Sequence, residues 1–226
     1  MKKGKIFVLD GPDGCGKATQ VQLLVAWLLS LGHMVSTLDF PRYYNNFFGK
    51  LIGQLQADKE LKFAEQDPRI VSPLYAFDRF ESKPQLEQWL AEGQVVVLDR
   101  YVSANQLHQA GKIQDLEKRK KFLELLDTME HEILGLPRPD AVLYLNVPHH
   151  ISLDLMNEKA AKKQYSEGEM DEVEKDNEYQ LNARKSGVEM IKSNLWKEIQ
   201  CSDDGQTMLS KEIIHERIKN YCLTLL

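Results

Sequence analysis

Cysteine is scarce in this sequence. Cys15, Cys201 and Cys222 are the three in 226 residues. So odd and widely spaced a set builds no disulfide framework, and it suits a reducing compartment such as the cytoplasm. Long apolar runs are missing too. The stretch between Lys17 and Asp39 carries no Asp, Glu, Lys or Arg, but Gln20, Gln22, Ser30, Gly32, His33, Ser36 and Thr37 interrupt it. Its apolar positions Val21, Leu24, Trp27 and Leu28 follow helical spacing and stop at Gly32. It reads as a core helix followed by a strand, not as the roughly 20-residue span a membrane needs. At the start, Met1-Lys2-Lys3 leads to only Ile6-Phe7-Val8-Leu9 before Asp10, too short for a signal peptide. Excess positive charge is also lacking: 29 Lys and Arg against 34 Asp and Glu leave a net charge of −5. That excludes the broad basic surface of a protein that binds bulk nucleic acid, while leaving room for a compact phosphate site. His131, His149 and His150 have no partners at metal-ligand spacing and read as surface histidines.

What is present describes an ordinary globular chain, 42% hydrophobic and 28% charged. Short apolar runs at Lys5–Asp10, Met34–Phe40, Val95–Arg100, Ala141–Val147 and Glu198–Ser202 have the continuous hydrophobic centres of strands covered on both faces. Helical patterns lie between them. Leu116–Leu134 places Phe122, Leu123, Leu126 and Ile133 on one side, and Lys211–Leu225 does the same with Ile214, Ile218, Tyr221 and Leu225. This alternation predicts a three-layer α/β/α domain around a five-stranded parallel sheet. No internal repeat is visible, and Gly135–Pro139 simply ends a helix and introduces a strand. Residues 157–178 stand apart: 12 of these 22 are charged, a density that suits a surface arm better than a core element. One domain, 1–226, with a flap at 157–178 is the simplest partition.

After the first strand comes Gly11-Pro-Asp-Gly-Cys-Gly-Lys-Ala-Thr19. The spacing G-x-x-x-x-G-K between a predicted strand and a predicted helix is that of a P-loop. Its glycines (Gly11, Gly14 and Gly16) let backbone N–H groups turn inward around an anion, and the helix N-terminus adds its positive end. Lys17 then reaches the β- and γ-phosphates. Ala18 stands where Ser or Thr usually helps to hold Mg²⁺. Thr19, or the carboxylates of Asp13 and Asp99, are the compensating groups within reach. Cys15 reads as a small filler; the sharper alternative is a thiol whose pKa is lowered at the helix N-terminus.

Three more clusters follow in order: Asp39-Phe-Pro-Arg-Tyr43 after the second strand, Pro73-Leu-Tyr-Ala-Phe-Asp-Arg79 in a helical stretch, and Asp99-Arg-Tyr-Val-Ser-Ala-Asn-Gln106 leaving the third strand. With the P-loop, in this order and spacing, the chain resembles the thymidylate kinases from Lys5 to about Ile199. The resemblance implies a P-loop NTPase fold with a LID, and roles for particular residues. Arg42 bridges the acceptor phosphate and the transferring phosphoryl. Arg100 holds acceptor or donor phosphates, Asp99 is a metal–water ligand, and Asp13 faces the acceptor sugar or Mg²⁺. Tyr75 stacks on thymine, Arg79 meets the base edge, Asn105 or Gln106 completes the pocket, and Tyr101 shapes the deoxyribose site. The charged arm falls at the LID. Members without a basic residue in the variable part of the P-loop, here Gly14, tend to supply a LID arginine; this arm offers Lys159, Lys162, Lys163 and Lys175 instead, with Asp171 and Glu174 as LID acids.

The expected activity is transfer of the γ-phosphoryl of ATP·Mg²⁺ to dTMP by a cytoplasmic enzyme, homodimeric as the family typically is. Two other readings stay open at this point. A deoxynucleoside kinase would act on thymidine through a general base, commonly Glu, where this chain has Asp99. A nucleotide-binding regulatory module would keep the P-loop without turnover, with Ala18 as its best support; Arg42, Arg79 and Arg100 together argue against it.

Overall fold

The run Val95-Val-Val-Leu98 offers no polar side chain to either face of a sheet, so both faces need cover. The computed structural model, described here for residues 3–163, 177–193 and 195–226, supplies both covers. Five strands form one sheet: β1 (Lys5–Asp10), β2 (Val35–Asp39), β3 (Val95–Asp99), β4 (Ala141–Asn146) and β5 (Lys197–Gln200). All pairs are parallel, in the order β2-β3-β1-β4-β5. The register sets Leu9 beside both Asp99 and Leu143, which brings the carboxyl ends of β1, β3 and β4 to one rim. The first strand lies at the centre, and the order reverses beside it. Ligands of open α/β sheets bind outside the carboxyl ends at such a switch point.

Alternate residues build the two cores. Phe7, Leu9, Val97 and Leu143 pack with Val21, Leu24 and Leu28 of α1 (Lys17–Ser30) and with Ile214, Ile218 and Cys222 of the last helix, Lys211–Cys222. On the opposite face Ile6, Val8, Val96 and Leu98 pack with Leu86 of the helix Lys83–Ala91 and with Ala183 and Met190 of the helix Asn177–Lys192. In chain order the helices are α1, α2 (Phe47–Ala57), α3 (Pro68–Glu81), α4 (Lys83–Ala91), α5 (Val102–Ala104), α6 (Leu116–Asp127), α7 (His149–Lys163), α8 (Asn177–Lys192) and α9 (Lys211–Cys222). Among the described residues no helix is long and apolar enough to cross a membrane.

The sequence reading of the sheet and its layers stands, with strand ends moved by one or two residues. The helix expected over 116–134 is corrected. It is α-helical only to Asp127 and continues as a wider π turn, Thr128–Ile133. The wider turn breaks the 3.6-residue period, so Ile133 leaves the buried side and is 75% exposed, while Phe122 and Leu126 stay in the core. Of the arm, Lys159, Lys162 and Lys163 belong by their backbone to the last turns of α7; Asp171, Glu174 and Lys175 lie outside the described residues.

Candidate active site

At the rim of the sheet lies a cavity of about 560 Å³. Its wall joins two groups of residues distant in sequence. At one end are Asp13, Gly14, Gly16, Lys17, Ala18 and Thr19 of the P-loop; at the other are Tyr75, Arg79 and Asn105, with Asp99 and Arg100 between.

The P-loop turns because Gly14 and Gly16 adopt left-handed backbone, φ 76° and 87°, which side chains with a Cβ rarely take. At Gly14 space forbids one as well: a Cβ would meet Met156 Cγ at 2.7 Å and the Ser152 carbonyl oxygen at 2.9 Å, both on α7. A basic side chain therefore has no room at this loop position. Lys17 is 8% exposed, and its ammonium donates to the carbonyls of Gly11 and Pro12, each at 2.9 Å. Cys15 is buried in the core, and that burial pushes its thiol above the ordinary range. The filler reading of Cys15 fits; the reactive-thiol reading is corrected, because desolvation outweighs the nearby Lys17.

Between the two ends sits Arg100, a non-glycine residue at φ 65°. Left-handed backbone costs an ordinary residue roughly 1–2 kcal/mol, and such strain concentrates at functional sites. Its guanidinium is held on two sides: Nη2 donates to Asp13 Oδ1, and Nη1 lies 2.8 Å from His108 Nε2. The second oxygen of Asp13 accepts from Gln180 Nε2 at 2.9 Å. Burial alone would raise the Asp13 carboxyl; Arg100 and Lys17, with the Gln180 hydrogen bond, instead hold it well below the usual carboxylate range. Asp99 goes the other way. Burial raises it more than Lys17 and Arg100 lower it, with Asp10 and Asp39 adding to the rise.

The far end is built on α3. Asp67 caps that helix by accepting from the Arg69 N–H at 2.8 Å. Tyr75 is half-buried; its ring tilts against Phe63 at 6.2 Å, and its hydroxyl accepts from Gln56 at 3.2 Å. Arg79, 1% exposed, makes a two-pronged ion pair with the fully buried Glu130, Nε to Oε2 at 2.6 Å and Nη2 to Oε1 at 2.8 Å. Asn105 donates to the same carboxylate at 2.9 Å and to the Ser72 carbonyl at 3.1 Å. Asn105 and Glu130 both sit on π turns, Asn105–Gln109 and Thr128–Ile133, a helix form that recurs at functional sites. Asp78 fixes the loop after β2, accepting from the Arg42 N–H at 3.0 Å and from the Asn46 amide at 2.9 Å.

Several expected residues stand outside the wall. Arg42 turns toward α4: its Nη1 lies 3.5 Å from Ser82 Oγ, and its Nε is buried without a partner. Tyr101 is fully buried against Phe40, its hydroxyl without a hydrogen bond, and burial pushes that hydroxyl up. It is a core residue outside the cavity wall. Gln106 is not in the wall either; its carbonyl accepts from Ser186 Oγ at 2.7 Å. His131 is not a bare surface residue, since its Nδ1 lies 2.9 Å from the Leu136 carbonyl.

The sequence reading missed Glu130, His108, Tyr179 and Gln180. For His108 a signal existed: it lies three residues after Asn105 and so shares a helical face with it. Tyr179 and Gln180 follow the charged arm and carry no motif.

Among the described residues, no three His, Cys, Asp or Glu side chains gather into a metal centre. Asp10 is fully committed, accepting from the Gly11 N–H at 2.8 Å and from Ser103 Oγ at 2.6 Å. Both oxygens of Asp13 are engaged as well. Asp39 and Asp99 are the cavity carboxylates to which no described residue donates a hydrogen bond. Two such carboxylates in one cavity with a phosphate loop are a donor set that suits Mg²⁺, which is bound by one or two carboxylates plus substrate phosphates and water.

A sequence model of the thymidylate kinase family matches residues 9–213. The thymidylate kinase of Homo sapiens is 30% identical over 146 residues, 65% of this chain and 62% of that protein. That of Schizosaccharomyces pombe is 28% identical over 172 residues, 76% of this chain and 71% of that protein. That of Plasmodium falciparum is 34% identical over 148 residues, 65% of this chain and 63% of that protein. The matched stretch thus spans between 62% and 71% of these relatives.

Proposed function

We propose that this chain, which belongs to the thymidylate kinase family, transfers the γ-phosphoryl group of ATP to dTMP, giving dTDP and ADP. One observation carries the reading. The P-loop and the Tyr75–Arg79–Asn105 pocket open into a single cavity with Arg100 between them. A mere nucleotide sensor has no use for the second pocket. A base stacked on Tyr75 and met by Arg79 points its phosphate back toward Arg100 and the P-loop.

Phosphoryl transfer asks little covalent chemistry of a protein and much positioning and charge neutralisation. Lys17 leaves the Gly11 and Pro12 carbonyls for the donor phosphates. Arg100, already aimed by Asp13 and His108, takes the acceptor phosphate. Arg42 joins it by swinging off Ser82; its unpartnered Nε supports that movement. Asp99, with Thr19 in the same cavity wall, would hold Mg²⁺ in place of the hydroxyl that Ala18 lacks. The ion, when bound, neutralises charge on the donor phosphates. Asp13, with both oxygens occupied, serves to aim Arg100. The domain is single, and the arm at 157–178 is its LID, whose lysines supply the cation that Gly14 has no room to replace. The family's homodimer and a cytoplasmic setting complete the reading; three buried thiols, none in a disulfide, support the latter.

Steady-state ADP formation with dTMP and with thymidine, for the native chain and Lys17→Met, tests this. dTMP should be the acceptor, and Lys17→Met should lose about 100-fold or more in kcat, as when one preorganised charge-stabilising donor is removed. Preference for thymidine, or equal background rates in both proteins, overturns the reading.

A further inference from the structure

The contacts around Arg100 close into a ring. Arg100 Nη2 donates to Asp13, and Asp13 accepts from Gln180. Its neighbour Tyr179 stacks on the His108 imidazole, centroids 5.7 Å apart and planes 11° from parallel. His108 Nε2 returns to Arg100 Nη1 at 2.8 Å. Tyr179 and Gln180 form the first turn of α8, immediately after the charged arm. The one guanidinium set between the two ends of the cavity is therefore clipped on both sides to one helical turn.

The protonation of His108 follows from that geometry. A guanidinium has donors only, so at 2.8 Å the imidazole must accept at Nε2. The ring is then neutral and carries its proton on Nδ1, which is buried without a partner. Burial first, then the charge of Arg100, takes the ring to about 4, so it stays neutral across the physiological range. Two effects oppose each other here. A buried N–H without an acceptor is unfavourable, as is the left-handed backbone of Arg100. An arrangement kept against both is held for what it does to the cation.

We propose that His108 is a positioning residue for phosphoryl transfer: its neutral imidazole aims Arg100 and couples that aim, through Tyr179 and Gln180, to the first turn of α8. The inference deepens the kinase reading and rests on it, because Arg100 matters through the acceptor phosphate it meets. When α8 shifts, both clips on Arg100 shift together. The helix that follows the arm therefore sets the aim of Arg100.

Two variants separate the acceptor nitrogen from the ring. His108→Phe keeps an aromatic ring for Tyr179 and removes the acceptor; His108→Gln keeps an acceptor at the reach of Nε2. With dTMP and ATP, His108→Phe should lose about 10- to 100-fold in kcat, the size of effect expected when a reacting group is misplaced. The KM for ATP should stay near the native value, and His108→Gln should recover most of the loss. A two-bond proton–nitrogen spectrum of the native protein at pH 7 should show His108 protonated on Nδ1 with an unprotonated Nε2. Native kcat in His108→Phe overturns the inference, as does His108→Gln being as slow as His108→Phe, or a ring protonated on Nε2. A native chain unable to phosphorylate dTMP instead overturns the kinase reading, and the ring spectrum then judges the His108 geometry by itself.

Discussion

Asp13 and Asp99 face the same cavity near the same two cations, Lys17 and Arg100, yet their carboxyls move in opposite directions. Contact decides it. Asp13 receives hydrogen bonds on both oxygens, whereas Asp99 has burial and two neighbouring carboxylates against it. The same balance governs the thiols. Cys15 lies two residues from Lys17, but burial wins and its pKa rises; Cys222, with burial as its only cause, is pushed up to about 12. Since the thiolate is the reactive form, the native protein should resist iodoacetamide at pH 8 at all three cysteines. Mass spectrometry should show full alkylation only after unfolding in denaturant. Rapid native labelling of Cys15 would show that the loop opens far enough to hydrate its thiol. Gly14 gives a second residue-level expectation. Gly14→Arg would restore a P-loop cation, but against α7 and at φ 76° it should lower stability by about 2 kcal/mol or more, measured by urea unfolding.

At the scale of elements, the π turn after α6 matters most. It carries Ile133 out to solvent while Glu130 stays inside against Arg79 and Asn105. Ile133→Ser should therefore change stability by no more than about 0.5 kcal/mol, as surface changes do, while Leu126→Ala, seven residues earlier, should cost about 2–5 kcal/mol. Glu130→Gln should cost about 3 kcal/mol or more, because it leaves the buried Arg79 guanidinium without its counter-charge. A stability loss in Ile133→Ser matching that of Leu126→Ala would restore the uninterrupted helix. Much of this was legible in the sequence. Strands β1, β3 and β4 are unbroken apolar runs, and glycine spacing placed the P-loop between a strand and a helix. Glu130 was half legible: it lies four residues after Leu126, on the apolar face, and a carboxylate there requires a buried cation. The π turn was not, because one wider turn leaves no mark in residue type. Nor was the orientation of Arg42 away from the cavity, set by Ser82 from 40 residues further on. His108 stayed hidden because its importance comes from Tyr179 and Gln180, brought beside it by the fold.

For the whole molecule, a net charge of −5 conceals a cavity whose wall includes Lys17, Arg79 and Arg100, so overall acidity and a cation-bearing pocket coexist. The outer surface shows a different asymmetry. On α2 and α3, Phe47 is 68% exposed, Ile70 69%, Phe77 38% and Phe80 42%. Ile70 and Phe77 are seven residues apart and share one face of α3, and Phe48 links the two helices by packing on Phe77 at 5.0 Å. Glu81 locks the pair by accepting from the N–H groups of Phe47 and Phe48, both at 2.8 Å. A rigid two-helix face with so many aromatic rings in water is unusual for a monomer. A second copy related by a two-fold axis would cover it with the same residues, since one self-complementary patch serves both subunits. The family expectation of a homodimer therefore has a definite place to be tested. Native protein at micromolar concentration should elute and sediment as a dimer, and Phe77→Glu as a monomer. The substituted side chain points away from the cavity wall, so a monomer that still binds dTMP would separate assembly from folding. A native protein that sediments as a monomer would remove the dimer and leave the aromatic face to another partner.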